Sequence, residues 1–586
     1  MRKILFNLLM LVPLASSVSA QDQNLPGLTS PKNVKVTDVG KVTQYIEQYV
    51  VTDSLTGKQD TVYQAVPEVV WQSEGVDIHQ PARASRRAKA TKMEGTLNDY
   101  FANVSFYIFK YSYTSINSQG EFVTLSGMAA VPDPDQTSEV KNLLIGTHIT
   151  ITADKERPSN QTGKLEASSD WSVLFAMASG NPTKFNASTK WMIAGLNAAA
   201  ILSGFVTWGI TTTAVFSIEI AAATVMGIYG SGYGDSRYNF VVMPDYEGYG
   251  DSKDHAHPYL YQELTARQVI DGAKAALQAY QYDPQLKNVH LNFRKDWKTV
   301  ICGYSQGGSV ALATQRFMEQ NHIDDEMRLV GSICGDGPYD PMSTLMYYVK
   351  RDLENQPMSM PVVLPLIVKG MLDSNPYMQA HKAEDYFSSK FIETGIMDWL
   401  ANKEMTTGDI ESAFKKLYND GKDGNSAYYR DLFTKDGHAM MRNIMNLKCY
   451  DYFEDIYNNY KDKYKTAEGI PLPSGRGVMQ DLHLALASND VTDGWTPRHH
   501  ILMFHSNVDT TVPYDNAERA EEKLGDWVVL HTADLKHDHG PSGKDFFAGD
   551  KNYEIVLSDN LRISQAIKKL IDLPSAGQTT NMIDNW

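Results

Sequence analysis

The sequence predicts an α/β protein with a mostly parallel central sheet that is flanked by helices. Short, continuous apolar runs recur along the chain, and such runs are typical of strands covered on both faces. They lie at 143–145, 240–243, 300–302 and 501–504. Helical spacing of apolar residues separates them, as from Leu264 to Tyr280, and strands that alternate with helices form parallel sheets. The segments 104–113 and 122–131 alternate apolar and polar residues around a turn at 117–120, so we expect an antiparallel hairpin that leads the sheet.

The chain is longer than one hydrophobic core usually organises. Its 586 residues therefore predict a main domain with large additions. We expect the α/β core at 96–341 and 491–586, and an N-terminal extension at 21–95. The segment 342–490 is rich in Met, Tyr and Asp with helical spacing, which predicts a helical cap inserted between two strands of the core.

The first twenty residues are typical of an export signal. Arg2 and Lys3 form a basic start, residues 4–14 form a short apolar run, and residues 18–20 form a small-residue cleavage site. The apolar run is too short to span a bilayer comfortably. We therefore expect a cleaved signal and a secreted, periplasmic or extracellular protein, with an uncleaved anchor as the alternative.

The composition argues against two classes of protein. The formal net charge of −16 speaks against a nucleic-acid partner, because phosphate neutralisation needs Lys and Arg. Three cysteines, Cys302, Cys334 and Cys449, are too few for a disulfide scaffold, and their odd number leaves at least one free thiol. We expect buried, reduced side chains, with a Cys302–Cys334 bridge as the alternative.

The segment 191–229 is strongly apolar and interrupts the α/β rhythm. A membrane span is one interpretation. A single crossing, however, would split one sheet between two compartments. Two crossings would need about 40 apolar residues, and the polar residues Asn197, Thr211 and Glu219 interrupt the apolar run. We therefore expect buried or lid-like helices, which offer a surface for contact with lipid.

The decisive motif is a Gly-x-Ser-x-Gly turn between a strand and a helix. Residues 300–309 read VICGYSQGGS, and the helix-forming run VALA follows. In this context the sharp turn lifts the serine hydroxyl above the sheet, and the glycines leave room for crowded backbone. The start of the helix directs N–H groups and its dipole at a developing oxyanion. We predict that Ser305 is a nucleophile, against the alternative of an ordinary Gly-Ser turn.

The predicted acid is Asp509. It follows the apolar run 501–504 in a polar turn, so a carboxylate here lies at the same edge of the sheet as Ser305. Its function would be to orient a histidine and to stabilise the imidazolium. The alternative for Asp509 is a cap of the next helix. Asp336, in a Cys-Gly-Asp-Gly-Pro turn one strand earlier, is the rival acid.

The predicted base is His539, because a serine on such a strand-to-helix turn is followed along the chain first by the acid and then by the histidine. It precedes a Gly-Pro-Ser turn that would present an exposed ring, and His537 is the second choice. With His531, these histidines offer a metal site as a further alternative. No matching cluster of ligands is visible elsewhere in the sequence, so we expect neither a metal nor a cofactor.

Two backbone N–H groups are predicted to bind the oxyanion. One belongs to Gln306, directly after the nucleophile. The other belongs to Ile149 or Thr150, in the loop that follows the apolar run 143–145, and we select Ile149. His148 in the same loop is expected to be structural.

With these residues in place, the chain resembles the secretory lipase and esterase branch of the α/β-hydrolase superfamily. Beyond the serine turn, the resemblance rests on VMPDYEGYGDS at 242–252, HPYL at 257–260, NVD at 507–509 and VP at 512–513. It covers about 100–340 and 490–575. The resemblance implies an α/β-hydrolase fold, a structural role for Asp245, and hydrolysis of carboxylic esters under a helical cap.

The sequence departs from this family in two respects. The His-Gly pair of the family's oxyanion loop is replaced here by Gly146-Thr147-His148, which leaves the second oxyanion donor open. The segments 21–95 and 191–229 have no counterpart in the resemblance, so the substrate class also stays open.

These observations predict a serine hydrolase that cleaves small-molecule or lipid esters through a Ser-His-Asp triad and an acyl-enzyme intermediate. The first alternative is a serine peptidase or amidase, because the same triad cleaves amides. The second alternative is a protein that kept the fold, lost the chemistry, and binds a lipid or another ligand.

Overall fold

A computed structural model describes most of the chain. The described residues are 33–52, 59–74, 78, 105–160, 174–179, 237–356, 358–422, 432, 440–460, 470–533, 537–548 and 562–572. The predicted export signal at 1–20 and the apolar segment 191–229 lie outside these residues.

The described strands form one large sheet and one small pair. Their bounds are β1 Lys35–Thr52, β2 Gln59–Trp71, β3 Ser105–Ile116, β4 Phe122–Pro132, β5 Glu139–Val140, β6 Leu143–Thr147, β7 Phe240–Pro244, β8 Asn292–Phe293, β9 Thr299–Tyr304, β10 Leu329–Gly335, β11 His500–Ser506 and β12 Val528–Ala533. The ten-stranded sheet has the order β12-β11-β10-β9-β6-β7-β4-β3-β1-β2, and β5 pairs with β8.

The large sheet has a parallel half and an antiparallel half. From β12 to β7 every neighbouring pair is parallel. From β7 through β4, β3 and β1 to β2 every pair is antiparallel. The predicted runs are strands β6, β7, β9 and β11, and the predicted hairpin is β3–β4, with Gly120 N–H donating to Asn117 O at 3.0 Å in its turn. The mostly parallel sheet is confirmed.

Helices follow or connect the strands. Their bounds are α1 Gln262–Tyr282, α2 Gln306–Gln320, α3 Pro341–Leu353, α4 Val363–Ser374, α5 Ala383–Tyr386, α6 Ser389–Ile392, α7 Ile396–Asn402, α8 Thr407–Lys422, α9 Met441–Ile444, α10 Leu447–Tyr460, α11 Val478–Ala487, α12 Asp515–Leu524, α13 His539–Ala548 and α14 Arg562–Asp572.

Both faces of the parallel half are covered by helices, because side chains alternate along each strand. Ile301 belongs to an apolar cluster that includes residues of α1, α2 and α12. Its neighbours Val300 and Cys302 belong to a second cluster with Phe546 of α13 and Ile567 of α14. This two-sided burial explains why the strands are continuous apolar runs in the sequence. All three cysteines are buried and unbridged, as expected.

The segment between β10 and β11 has an apolar core of its own. Its described residues form helices α3 to α11, whose buried side chains include Leu364, Phe391 and Phe453. Tyr259 of the α/β core belongs to the same cluster. A Cβ atom at Gly370 of α4 would overlap the Tyr259 carbonyl oxygen, so the cap lies directly on this part of the core.

The N-terminal extension contributes β1 and β2 to the sheet. These strands are 18 and 13 residues long. Lys41 of β1 is buried, and its Nζ lies 2.9 Å from a carboxylate oxygen of Asp133 and 3.2 Å from the Tyr107 hydroxyl. Burial lowers the pKa of Lys41, but Asp133 opposes this effect and holds the pKa above its ordinary value. A paired buried charge therefore anchors β1 on the sheet.

The turn between β9 and α2 is packed too closely for side chains. A Cβ atom at Gly303 would overlap Thr147 Oγ1 and the Gly307 carbonyl, and one at Gly307 would overlap the Thr147 carbonyl oxygen. The obstructing atoms at Gly307 belong to backbone, which cannot move aside as a flexible side chain can. The two glycines are therefore required by close approach of β6 to this turn.

Gly307→Ala is expected to lower the free energy of unfolding by about 2 kcal/mol or more, because the added methyl group must displace the backbone of β6. Chemical denaturation monitored by circular dichroism measures the change. Gly475→Ala is the matched control, since a Cβ atom there meets nothing within 4 Å. A stability of Gly307→Ala equal to that of the control would contradict the packing described for this turn.

Candidate active site

The ends of neighbouring parallel strands bring four polar residues together. Ser305 follows β9, Asp336 follows β10, Asp509 follows β11 and His539 follows β12. The carboxyl ends of parallel strands lie at one edge of a sheet, so residues distant in sequence meet there. The side chains of Asp336, Asp509 and His539 have polar atoms that all lie within 4.8 Å of one another.

Ser305 has a strained backbone. Its φ of 56° and ψ of −125° lie in a region that residues other than glycine rarely adopt. Its N–H donates to the Gly335 carbonyl at 2.9 Å, and α2 begins at the next residue. The strand-to-helix turn predicted from the sequence is therefore present, and the N-terminal end of α2 begins directly beside the serine.

Hydrogen bonds connect Ser305, His539 and Asp509 in a chain. His539 Nε2 lies 2.8 Å from Ser305 Oγ, and His539 Nδ1 lies 2.6 Å from Asp509 Oδ2. A neutral imidazole carries one N–H. With that proton on Nδ1, the ring donates to Asp509 and accepts from the Ser305 hydroxyl. This is the arrangement that lets a serine hydroxyl pass its proton to a histidine.

Asp509 is fixed by its own turn. Its Oδ1 accepts from the N–H groups of Thr511 and Val512, both at 2.8 Å, which leaves Oδ2 for the histidine. The carboxylate belongs to the turn before α12, which begins only at Asp515, and this geometry differs from the helix cap that was the alternative.

The charge around His539 favours its protonated form. Burial lowers the pKa of the His539 imidazole, but the charge and hydrogen bond of Asp509 outweigh it, and the pKa lies above the ordinary value of 6.5. Asp336 and Asp538 add to the attraction. An imidazole in this setting can take up a proton from a neighbouring hydroxyl and hold it as a stabilised cation.

The alternative residues have other partners. Asp336 Oδ1 accepts from Ser506 N–H at 2.8 Å, and its Oδ2 accepts from the Tyr304 hydroxyl at 2.5 Å. His537 Nδ1 lies 2.6 Å from Asp545 Oδ2. The histidine bonded to Ser305 is His539, and the carboxylate bonded to His539 is that of Asp509.

Sequence reasoning missed Tyr304. Its hydroxyl lies 2.6 Å from the His539 carbonyl oxygen as well as 2.5 Å from Asp336, and its ring centroid lies 5.4 Å from that of His539. Tyr304 is buried, and its hydroxyl and ring both contact the histidine. It occupies a variable position of the Gly-x-Ser-x-Gly turn, where no pattern in one sequence marks a role.

The predicted oxyanion loop is bonded to the serine turn. Thr147 Oγ1 lies 2.8 Å from the Gly307 carbonyl and 3.1 Å from the Cys302 carbonyl. Thr150 Oγ1 lies 3.0 Å from the Tyr259 hydroxyl. These contacts place the loop of Ile149 next to the first turn of α2, while the choice of Ile149 over Thr150 stays a prediction.

His148 and Asp245 are buried in the packing behind the loop. His148 stacks on Tyr246 with ring centroids 3.8 Å apart. Asp245 accepts from Ser126 Oγ at 2.6 Å and from Ser159 N–H at 2.8 Å. Both residues therefore tie neighbouring segments together, in agreement with the structural roles expected for them.

A cavity of about 420 Å³ lies between the cap and the loop that follows β7. Its charged and polar lining includes Lys253, Asp254, Lys369, Asp373, Asn402 and Lys403. Lys403 Nζ of the cap donates to the carbonyl oxygens of Lys253 and His255 in this loop. The cavity is thus a polar space at the junction of cap and core, and His257 forms part of its wall.

The three histidines proposed as metal ligands are not grouped. His531 stacks on Phe504, His537 pairs with Asp545, and His539 faces Ser305. Within the described residues, the side chains close enough to share an ion are Asp336, Asp509 and His539. Their polar atoms are already engaged by hydrogen bonds to protein groups.

No helix among the described residues is both long enough and apolar enough to cross a bilayer. The apolar segment 191–229 is not among those residues.

Strand order, the serine turn and the chain order Ser, Asp, His identify the architecture. The chain has an α/β-hydrolase fold. No model of a protein family matches the sequence, and no curated protein sequence gives a significant match.

Two solved structures illustrate the likeness. The rice cell wall degrading esterase LipA from Xanthomonas oryzae has a TM-score of 0.48 at 19% identity, over 79% of this chain and 92% of that chain. Lipase A of Candida antarctica has a TM-score of 0.39 at 14% identity, over 75% of this chain and 73% of that chain. Because both scores lie below 0.5, the fold assignment stands on strand order and the serine turn.

Asp509→Asn is expected to lower the pKa of His539, since burial is then no longer opposed by the adjacent negative charge. Asp336→Asn is expected to lower it by less. NMR titration of ¹³C-labelled histidine rings measures both changes. Asp545→Asn, which removes the carboxylate beside His537, is the matched control and leaves the His539 titration in place. An unchanged His539 pKa in Asp509→Asn would show that the pair does not form in solution.

Proposed function

We propose that this chain is a serine hydrolase that cleaves carboxylic esters through an acyl-enzyme intermediate. The observation that carries the proposal is the continuous hydrogen-bond chain from Ser305 Oγ through His539 to Asp509, with the serine on a strained turn. Nucleophile, base and orienting carboxylate within hydrogen-bond reach are the signature of an activated serine. The proposed catalytic residues are Ser305, His539 and Asp509.

The first half of the reaction forms the acyl-enzyme. His539 Nε2 accepts the hydroxyl proton while Ser305 Oγ attacks the ester carbonyl, and the carbonyl oxygen becomes negative. The N–H groups of Gln306 and Ile149 are the proposed donors to this oxyanion. The tetrahedral intermediate collapses, the ester C–O bond breaks, and His539 returns the proton to the departing alcohol.

The second half releases the acid. Water takes the place of the alcohol, His539 removes its proton, and the hydroxide attacks the acyl carbonyl. Collapse returns Ser305 Oγ as the leaving group, which recovers the proton from His539. Asp509 keeps the imidazole in the tautomer that both halves need and stabilises the imidazolium of each transition state.

Ester substrates are preferred because of the resemblance to secretory lipases and esterases. Peptides or other amides are the second candidate, since the same three residues can cleave amides. The two neighbours named above are an esterase and a lipase by name. Release from the cell through the signal at 1–20 is part of the proposal.

Ser305→Ala is expected to abolish covalent labelling by a fluorophosphonate probe and to lower ester turnover by a factor of about 10⁴ or more. Gel fluorescence and mass spectrometry of the labelled peptide measure the first effect. Ser374→Ala, a buried cap serine that bonds to a carbonyl of its own helix, is the control that keeps labelling. A probe adduct that persists in Ser305→Ala would move the nucleophile elsewhere.

A panel of nitrophenyl esters and aminoacyl amides is expected to show turnover of esters, because nitrophenolate departs more readily than an amine. Initial rates under matched conditions measure the preference, with Ser305→Ala as the blank. Turnover of the amides alone would replace the esterase by the amidase. The absence of both turnover and probe labelling would favour the non-catalytic, ligand-binding alternative.

A further inference from the structure

Two buried polar side chains outside the proposed triad meet beside the nucleophile. Gln306 Nε2 lies 3.0 Å from His257 Nε2, although the residues are 49 positions apart. Gln306 is 1% exposed and His257 is 9% exposed. Burying two polar groups is unfavourable unless they bond to each other or to other groups, and this bond offsets part of that cost.

The direction of this hydrogen bond follows from the other side of the ring. His257 Nδ1 lies 2.8 Å from the Glu247 carbonyl oxygen, which can only accept, so the proton sits on Nδ1. Burial lowers the pKa of His257 to about 3, which keeps the ring neutral. Its Nε2 is then an acceptor, and the Gln306 amide must donate to it. A flipped amide would set two acceptors against each other.

The histidine itself is held rigidly. Gly248 has a φ of 93°, and a Cβ atom there would lie 2.7 Å from His257 Cα, so the turn closes directly on the histidine. The His257 ring lies parallel to Tyr246, with centroids 6.2 Å apart, and 4.9 Å from Tyr249. The carbonyl that accepts the hydrogen bond of His257 Nδ1–H belongs to Glu247, whose carboxylate accepts from Gln268 Nε2 at 2.7 Å.

We propose that His257 is a positioning residue that holds Gln306 so that its backbone N–H points at the oxyanion. The inference rests on the proposed function, in which that N–H is an oxyanion donor. Gln306 follows a residue with strained dihedrals, and a strained turn keeps its shape only where surrounding contacts enforce it. Donors that are already in place before charge develops give the largest stabilisation. His257 supplies this fixed anchor from the loop after β7.

The segment 257–260 also lies beside the second proposed oxyanion donor. Tyr259 of this segment contacts Thr150 in the loop that carries the second proposed donor. The same short segment thus contacts both sides of the proposed oxyanion site, through His257 to Gln306 and through Tyr259 to Thr150.

The test compares His257→Leu with His257→Gln. Leucine removes the acceptor, whereas glutamine offers an amide oxygen that can accept from Gln306. We expect His257→Leu to lower kcat for a nitrophenyl ester by roughly 10- to 100-fold with little change in KM, since displaced donors act on the transition state. His257→Gln is expected to recover most of this loss. Rates are normalised to the sites that a fluorophosphonate titrates, so that misfolded protein does not count.

A matched control comes from the far end of α2. His322 follows the last turn of this helix and is exposed, so His322→Gln changes a histidine that lies outside the proposed site. We expect its kcat to stay within about 2-fold of the wild type, as for a surface substitution away from the reacting atoms. Where His257→Leu fails to fold, Gln306→Met removes the donor from the other side and is expected to give the same loss of kcat.

A second measurement separates positioning from stability. A boronic acid forms a tetrahedral adduct on the serine, and its inhibition constant is expected to weaken in parallel with kcat in His257→Leu. Unchanged kcat and unchanged boronate affinity in His257→Leu and Gln306→Met would overturn the proposal. An equal loss in His257→Gln and His257→Leu would also overturn it, because acceptance of the Gln306 bond would then be irrelevant. A wild-type chain that takes no probe and turns over no ester would instead remove the proposed function itself.

Discussion

The strained backbone at Ser305 is the constraint on which the rest of the site depends. A positive φ at a residue other than glycine is unfavourable by about 1–3 kcal/mol and persists only where the surroundings enforce it. Here the enforcing contacts are the bond from Ser305 N–H to the Gly335 carbonyl and the close approach of β6 to Gly303 and Gly307. Loss of any of these contacts would allow Ser305 to relax from this conformation. The strand neighbours of β9 thus stabilise a conformation that the turn alone would not keep.

A second constraint is that several charged groups are buried at the same edge. Unpaired, each would be strongly destabilising, so each carboxylate has partners that the strand ends provide. Asp509 takes two backbone N–H groups from its own turn, and Asp336 takes one from Ser506 across the neighbouring strand. The remaining oxygen of Asp509, Oδ2, is then available to accept the hydrogen bond of His539 Nδ1–H. The hydrogen bonds that stabilise the buried carboxylates therefore also orient the imidazole of His539.

The sequence predicts the elements that repeat a local pattern and misses the contacts that do not. Apolar runs indicate the parallel strands because both faces are covered, and the Gly-x-Ser-x-Gly turn lies between one of these strands and a helix. Chain order and strand ends suffice to bring Asp509 and His539 to Ser305. By contrast, the bonds of Tyr304 and the pair of His257 with Gln306 join residues far apart in sequence, and they depend on side-chain directions that no periodicity encodes.

The helical cap enters the chain between β10 and β11, so it separates Ser305 and Asp336 from Asp509 and His539 in sequence. It does not separate them in space, because β10 and β11 pair directly in parallel from Gly331 with His500 to Gly335 with Phe504. The backbone pairing of β10 with β11 therefore fixes the distance between the two halves of the site. The cap is held by its own apolar cluster, by the contact of Gly370 with Tyr259, and by hydrogen bonds to the core, among them those of Tyr348 and Ser359 to Thr511. The Tyr348 hydroxyl of α3 donates to the Thr511 carbonyl at 2.9 Å, and the Thr511 N–H donates to Asp509 Oδ1 at 2.8 Å. A change within the cap can therefore reach Asp509 through this turn, although the pairing of β10 with β11 stays in place.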